Sequence, residues 1–241
     1  MNWVYPVKPD FFDGKIVLDA GAGNGLHACF ASEFGAEEVY TIDLSTAVES
    51  AFDNCRDRKN VYVSQADLYA PPFNEGSFDY IYSIGVIQHL PEREKALKKL
   101  TSLLKTGGHF SIWVYGYEGT FLVRTFIEPL RKIFLKTNLR FAYLCSFLFA
   151  ALFYISGKIY QGIRGVPGLS AILPLKNYLL YMARFPFRYQ HNTVYDQLIA
   201  PRTHYFKKKE LEDQFRGLNF EKVLITSRNG MSWRVFAQNK F

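Results

Sequence analysis

The chain has 241 residues, about half of them apolar and 17% aromatic, with a formal net charge of +7. That length fits one domain, or one domain carrying a large insertion, and the apolar share suffices for a sizeable core. Its three cysteines, Cys29, Cys55 and Cys145, are odd in number and lack CxxC spacing, which argues against a disulfide framework or a zinc site and for a reducing compartment.

The opening Met1-Asn-Trp-Val-Tyr-Pro6 has no basic start before an apolar core, so it does not read as a signal peptide. Ile16-Val-Leu18 is a short apolar run suited to a buried strand, ended by Asp19 and Ala20. Gly21, Gly23 and Gly25 then follow at alternate positions around Asn24. An Ala-rich apolar run beginning at Leu26 and His27 suits a helix. Strand, glycine turn and helix open a nucleotide-binding βαβ unit, although Leu26 stands where the dinucleotide fingerprint has its third glycine. Glu38 to Asp43 reads as a second strand ending in an acid, followed by Leu44. Val61 to Val63 reads as a third, leading to Asp67 and Leu68. Phe78 to Ser83 reads as a fourth, running on through Ile84 and Gly85 to His89-Leu-Pro91. The run from Leu103 reads as a helix end, a turn at Gly107-Gly108 and a fifth strand reaching Val114.

Residues 207–217 read as a helix closed by Gly217. Phe220 to Arg228 and Ser232 to Gln238 read as two strands joined at Asn229-Gly230, a strong hairpin signal. Before them, Phe121 to Arg140 reads as a helix interrupted near Pro129, and Leu175 to Phe185 as another. Between these lies Phe141 to Ile155, apolar on every face, which means burial or lipid. Fifteen residues make a helix of about 22 Å, short of a hydrocarbon core of about 30 Å, so a full crossing is disfavoured.

Five of these signatures, in order over about the first 115 residues, resemble the class I S-adenosylmethionine-dependent methyltransferases: the glycine run, Asp43, Asp67-Leu68, the Phe78-Asp79 strand with its His89-Leu90 loop, and the paired-glycine turn. The resemblance implies an α/β fold. Its sheet would be seven-stranded, mostly parallel and doubly wound, with the last strand antiparallel and a helical insertion, or lid, after strand five. Residues 1–115 would form the cofactor-binding core, 116–206 the insertion, and 207–241 the helix and hairpin that complete the sheet. The cofactor would be S-adenosyl-L-methionine. It would be held by Asp19, Ala20, Gly21, Gly23, Asn24, Gly25 and His27, and by Asp43 and Leu44 at the ribose. Asp67 would take the adenine amino group, Leu68 would pack on the ring, and Ser83, Ile84 and Gly85 would line the site. No metal site is expected.

From 119 to 191 there are ten basic residues against the single acid Glu128, a net +9 that exceeds the charge of the whole chain. A basic, aromatic insertion on a slightly acidic core has three readings. It covers a lipophilic or anionic small-molecule acceptor, it lies on an anionic membrane surface with Arg131, Lys132, Lys136 and Arg140 at the headgroups, or it is a packed cap or oligomer interface. The expected location is the cytoplasm, with peripheral attachment to the inner face of the membrane. The expected chemistry is methylation, on oxygen by weak family analogy, of a lipophilic or lipid-linked small molecule or glycan. His89, His204 and Asp196 are the candidate bases. Nucleic acid is not expected as the acceptor, because Ser83-Ile-Gly-Val stands where exocyclic-amine methyltransferases carry an Asp/Asn/Ser-Pro-Pro-aromatic motif. A membrane-associated adaptor keeping only the fold is the other alternative.

Overall fold

A computed structural model describes residues 3–121, 123–162, 176–200 and 202–240. Its strands are β1 (Ile16–Ala20), β2 (Glu38–Asp43), β3 (Val61–Gln65), β4 (Phe78–Ile84), β5 (Leu104–Tyr115), β6 (Phe220–Arg228) and β7 (Ser232–Asn239). Its helices are α1 (Leu26–Glu33), α2 (Ala47–Cys55), α3 (Arg93–Ser102), α4 (Glu128–Phe134), α5 (Leu139–Gly162), α6 (Lys176–Met182), α7 (Phe187–Ile199) and α8 (Lys208–Arg216). The chain divides into two compact units, Met1–Gly119 with Arg202–Phe241, and Thr120–Pro201.

In the first unit all seven strands form one sheet, ordered β3-β2-β1-β4-β5-β7-β6. β1 to β5 run parallel, and β7 inserts antiparallel between β5 and β6. Strand side chains alternate between faces, and the core divides accordingly. Leu18 and Ile81 join one apolar cluster with Leu97, Leu100, Phe110 and Phe215. Their neighbours Val17, Tyr80 and Tyr82 join another with Phe12, Ala28 and Cys55. Burial on both faces is what the apolar run of β1 demands, and it makes the sheet doubly wound. In the three-residue connection between the paired Arg228 and Ser232, Asn229 and Gly230 both adopt positive φ, 55° and 68°, inside a turn closed by the Met231 N–H on the Arg228 carbonyl at 3.2 Å, the φ signs of a type I′ turn.

Two sequence expectations shift here. β5 begins at Leu104, so Gly107 and Gly108 lie inside the strand, which keeps its pairing to β4 through a register shift between Phe78 and Tyr80. Residues 116–119 and 202–206 also belong with the sheet. Gly116 bridges Phe206, and the Tyr117 N–H donates to the Phe206 carbonyl at 2.8 Å.

The second unit is helical among its described residues. Pro129 stands in the first turn of α4, where the helical run changes from π to α, since the first turn needs no N–H there. A π-helical turn, Val123–Ile127, precedes it. The apolar run predicted to end at Ile155 lies within α5, which continues to Gly162 and has 24 residues. At 1.5 Å per residue that is about 36 Å, so length no longer argues against a crossing. α5 buries Ala142, Ser146, Ala150 and Gly157, the first three clustered with Val194 and Leu198 of α7 or bonded to it. The Ser146 hydroxyl lies 2.9 Å from His191 Nε2. Arg131 is buried, donates from Nε to the Gln197 carbonyl at 2.6 Å and pairs with Glu128. It is therefore a structural clamp between α4 and α7, not a headgroup-facing cation as its sequence context implied. The helix predicted from Leu175 to Phe185 is observed as α6, with Leu175 outside the described residues.

Candidate active site

The loop after β1 is the centre of the site. The N–H groups of Gly21 and Ala22 both donate to the Ile42 carbonyl, at 2.8 and 2.9 Å, tying the loop to the end of β2. Gly25 caps α1 with φ 76°, and a Cβ there would stand 3.0 Å from Ala51 and 3.1 Å from the Cys55 sulfur. Only glycine lets α1 and α2 approach this closely. That approach also brings the Cys29 and Cys55 sulfurs to 3.0 Å, a proximity their spacing in the sequence concealed. Burial raises the Cys55 thiol to about 12, so it stays protonated.

Gly23 is different. Its φ is 49°, and nothing lies within 4 Å of where a Cβ would stand. Its N–H donates to Asp43 Oδ2 at 2.9 Å. The other oxygen of Asp43 accepts from the Ser45 N–H at 2.9 Å and the Ser45 hydroxyl at 2.7 Å. A carboxylate has about four acceptor directions, so Asp43 fixes the loop and keeps capacity for one further donor. Leu44 beside it is exposed. Asn24 is exposed too. Its carbonyl accepts from Asn54 Nδ2 at 2.9 Å, a brace from α2 that no local sequence signal marks.

Several residues expected at the ligand have side chains buried in the sheet core. Asp19 is 2% exposed, and its Oδ2 and the nearby hydroxyls of Thr41 and Tyr82 complete no hydrogen bond among the described residues. Burial, reinforced by the neighbouring Asp43 charge, raises the Asp19 carboxyl to about 8, so it is neutral at pH 7. Ala20 and Leu68 are buried in the core. Ser83 is fully buried and donates to the Ala20 carbonyl at 2.7 Å, bonding β4 to β1. These four sit beneath the loop because the parallel sheet is covered on both faces. Asp67 accepts from the Tyr69 N–H at 2.9 Å and shapes the turn after β3. Ile84 and Gly85 are half-buried at the end of β4, with the Gly85 N–H bonded to the Trp113 carbonyl at 3.0 Å. His27 is half-buried in the first turn of α1, where burial lowers its pKa to about 4 and keeps it neutral.

Of the three candidate bases, His89 sits at the carboxyl end of β4. Its Nδ1 lies 2.5 Å from the Arg202 carbonyl. A carbonyl only accepts, so Nδ1 carries a proton, while Nε2 faces the Gln88 side-chain amide at 3.5 Å. Gln88, which the sequence did not single out, is buried beside it with Oε1 unbonded among the described residues. Its carbonyl accepts from the His204 N–H at 2.9 Å. His204 itself lies 2.7 Å from Glu210 at the start of α8. Its Nε2 is committed to that contact, which gives it a local structural role. Asp196 belongs to the second unit, on the exposed side of α7. His109 and His191 are packed among aromatic rings.

A family model described as a methyltransferase domain matches residues 18–112. Residues 18–112 are thus those of a methyltransferase domain, and the seven-stranded sheet that carries them is the fold of class I S-adenosylmethionine-dependent methyltransferases. Over 111 residues it is 38% identical to phosphoethanolamine N-methyltransferase 2 of Caenorhabditis elegans, covering 44% of this chain and 25% of that one. Over 105 residues it is 36% identical to a ubiquinone/menaquinone biosynthesis C-methyltransferase of Idiomarina loihiensis, covering 41% and 42% respectively. The chain thus spans well under half the length of these curated relatives. An S-adenosylmethionine-dependent methyltransferase from Thermotoga maritima superposes with a TM-score of 0.53 over 94% of this chain and 83% of that one, at 16% identity, which speaks to the fold alone. The methyltransferase core fits the family's cofactor, S-adenosylmethionine. Gly23 leaves open space at the loop, and Asp43 beside it keeps acceptor capacity for a ribose hydroxyl.

Proposed function

We propose that this chain transfers a methyl group from S-adenosylmethionine to the oxygen of a lipophilic or lipid-linked small molecule, with His89 as the base. The observation that carries this reading is the place of His89: it follows β4 at the strand end where open α/β sheets take their ligands, with its ring held by the Arg202 carbonyl at Nδ1. The cofactor supplies a methyl group on a sulfonium, already a good leaving group, so the protein's work is alignment and proton removal. A hydroxyl acceptor must shed a proton as its oxygen attacks, and Nε2 takes it. Asp43 and the Gly23 backbone hold the ribose end of the site. The relatives named for N- and C-methylation match less than half of this chain, so the acceptor atom is read from this chain's own residues.

The test has two arms. Calorimetry with S-adenosylmethionine should show binding that weakens by about 1.5 to 3 kcal/mol in Asp43→Ala, the range for hydrogen bonds to a charged group. Labelled methyl transfer to an organic extract of host membranes should fall about 10²- to 10⁴-fold in His89→Ala, with cofactor affinity unchanged. Equal transfer by His89→Ala would remove it as the base. Equal affinity in Asp43→Ala would remove the ribose assignment.

A further inference from the structure

The second unit has two outer faces of opposite character. Along α7, Arg188, Asn192 and Asp196 recur every four residues and all are exposed, a polar stripe turned to water. Along α5 the outward stripe is Phe141, Leu144, Leu148, Leu152, Ile155 and Ile159, each more than half exposed. At about 100° per residue these six fall within roughly 80° of arc and run for about 27 Å. The other side of α5 is already occupied by Ser146, Ala142 and Ala150 against α7. A row of six large apolar side chains in water marks an interaction surface, not a solvated helix.

Charge identifies what covers it. α5 contains no Asp or Glu. Arg140 and Lys158 are 18 residues apart, five full turns, so both stand on the same flank of the stripe, near its two ends. Lys132 and Lys136 are exposed just upstream, and Glu128 is held by Arg131. A second copy of this face would set these cations against one another with no acid on α5 to meet them. Anionic headgroups meet them directly, while long basic side chains let the apolar row sink deeper. Length and composition would let α5 cross a bilayer. Crossing would carry its packed partner α7, with Arg188, Asn192 and Asp196 exposed, into hydrocarbon, which charged groups strongly resist. Lying in the plane keeps that polar stripe in water.

We infer that α5 docks in the plane of an anionic lipid bilayer, with the stripe from Phe141 to Ile159 among the acyl chains and Arg140 and Lys158 at the phosphates. Neither cofactor nor acceptor enters this argument, so it stands or falls separately from methyl transfer.

The experiment uses the full chain without cofactor, sedimented with vesicles of phosphatidylcholine alone or mixed with phosphatidylglycerol. Wild type should bind the anionic vesicles, ignore the neutral ones and be released by high salt, since screening acts within about 10 Å at 0.1 M. Arg140→Gln and Lys158→Gln should each lower vesicle affinity about fivefold, at roughly 1 kcal/mol per surface cation. Leu148→Glu, at an exposed position, should lower it more than about tenfold, as a carboxylate placed among acyl chains must. Leu148→Trp should gain fluorescence that brominated acyl chains quench beyond the quenching of wild type. Calorimetry with S-adenosylmethionine should be unchanged in all four variants, which excludes misfolding. Equal binding to neutral and anionic vesicles, or none to either, overturns the inference. So does a concentration-dependent dimer that Leu148→Glu dissolves in the absence of vesicle binding. Resistance to alkaline extraction with protease protection on both leaflets would mean a crossing and overturns the in-plane orientation. A wild-type chain that binds anionic vesicles but shows no calorimetric binding of S-adenosylmethionine would sink the methyl-transfer reading and leave docking standing.

Discussion

The two units handle the same kind of side chain in opposite ways. In the sheet unit a leucine such as Leu18 is fully buried between layers, whereas Leu148 of α5 stands 62% exposed. A parallel strand has two faces and both are covered, so nearly every apolar residue in β1 contributes to the core. α5 is apolar all round but has partners on one side only. Apolar content alone therefore says little about burial. The number of faces the fold covers decides it.

The largest expected break in this contrast is Arg131→Ala. It removes a buried cation from Glu128 and from the Gln197 carbonyl. Losing one partner of a buried pair costs about 3 to 5 kcal/mol. Hydrogen exchange should show α4 and α7 losing protection while the sheet strands keep theirs. Lys132→Ala, one residue on and exposed, should leave exchange unchanged. Uniform loss across both units would mean that they unfold as one.

The leucine comparison can be measured directly. Leu18→Ala should cost about 2 to 5 kcal/mol in denaturant unfolding, as large-to-small core changes do. Leu148→Ala should stay within about 0.5 kcal/mol, as surface changes do. A large loss at Leu148 in lipid-free solution would show that the α5 stripe is covered in the free protein.

A smaller, pH-dependent effect arises beneath the glycine loop. Asp19 has its carboxyl raised by burial from about 3.8 to about 8. Between those values the unfolded chain is ionised at this residue and the folded one is not, so the unfolded state binds fewer protons. Stability must then fall as pH rises, by up to about 1.4 kcal/mol per pH unit for this one group. Asp19→Asn should flatten the decline in unfolding free energy between pH 5 and 7. An identical slope in both proteins would show that Asp19 is ionised when folded.

Much of the sheet unit was legible in the sequence because its signals are local. The type I′ turn needs two positive-φ residues, and Asn229-Gly230 announces them. The glycine run and the acid at Asp43 mark a strand-to-helix turn and its neighbouring strand end by spacing alone. The candidate site was legible at Gly23 and Asp43 for the same reason, and at His89 through its place after β4. What stayed hidden depends on contacts between residues remote in sequence. That Asp19, Ser83 and Leu68 lie beneath the loop follows from layers closing on both sides of the sheet. That Asn54 braces Asn24, or that the Arg202 carbonyl holds the His89 ring, joins positions 30 and 113 residues apart. In the insertion the sequence by itself determined composition and charge, +9 from 119 to 191. Only the tertiary structure decided that Arg131 turns inward and that α5 runs to Gly162 with one face packed and one bare. A helix carries no record of which side its neighbours occupy when every side is equally apolar.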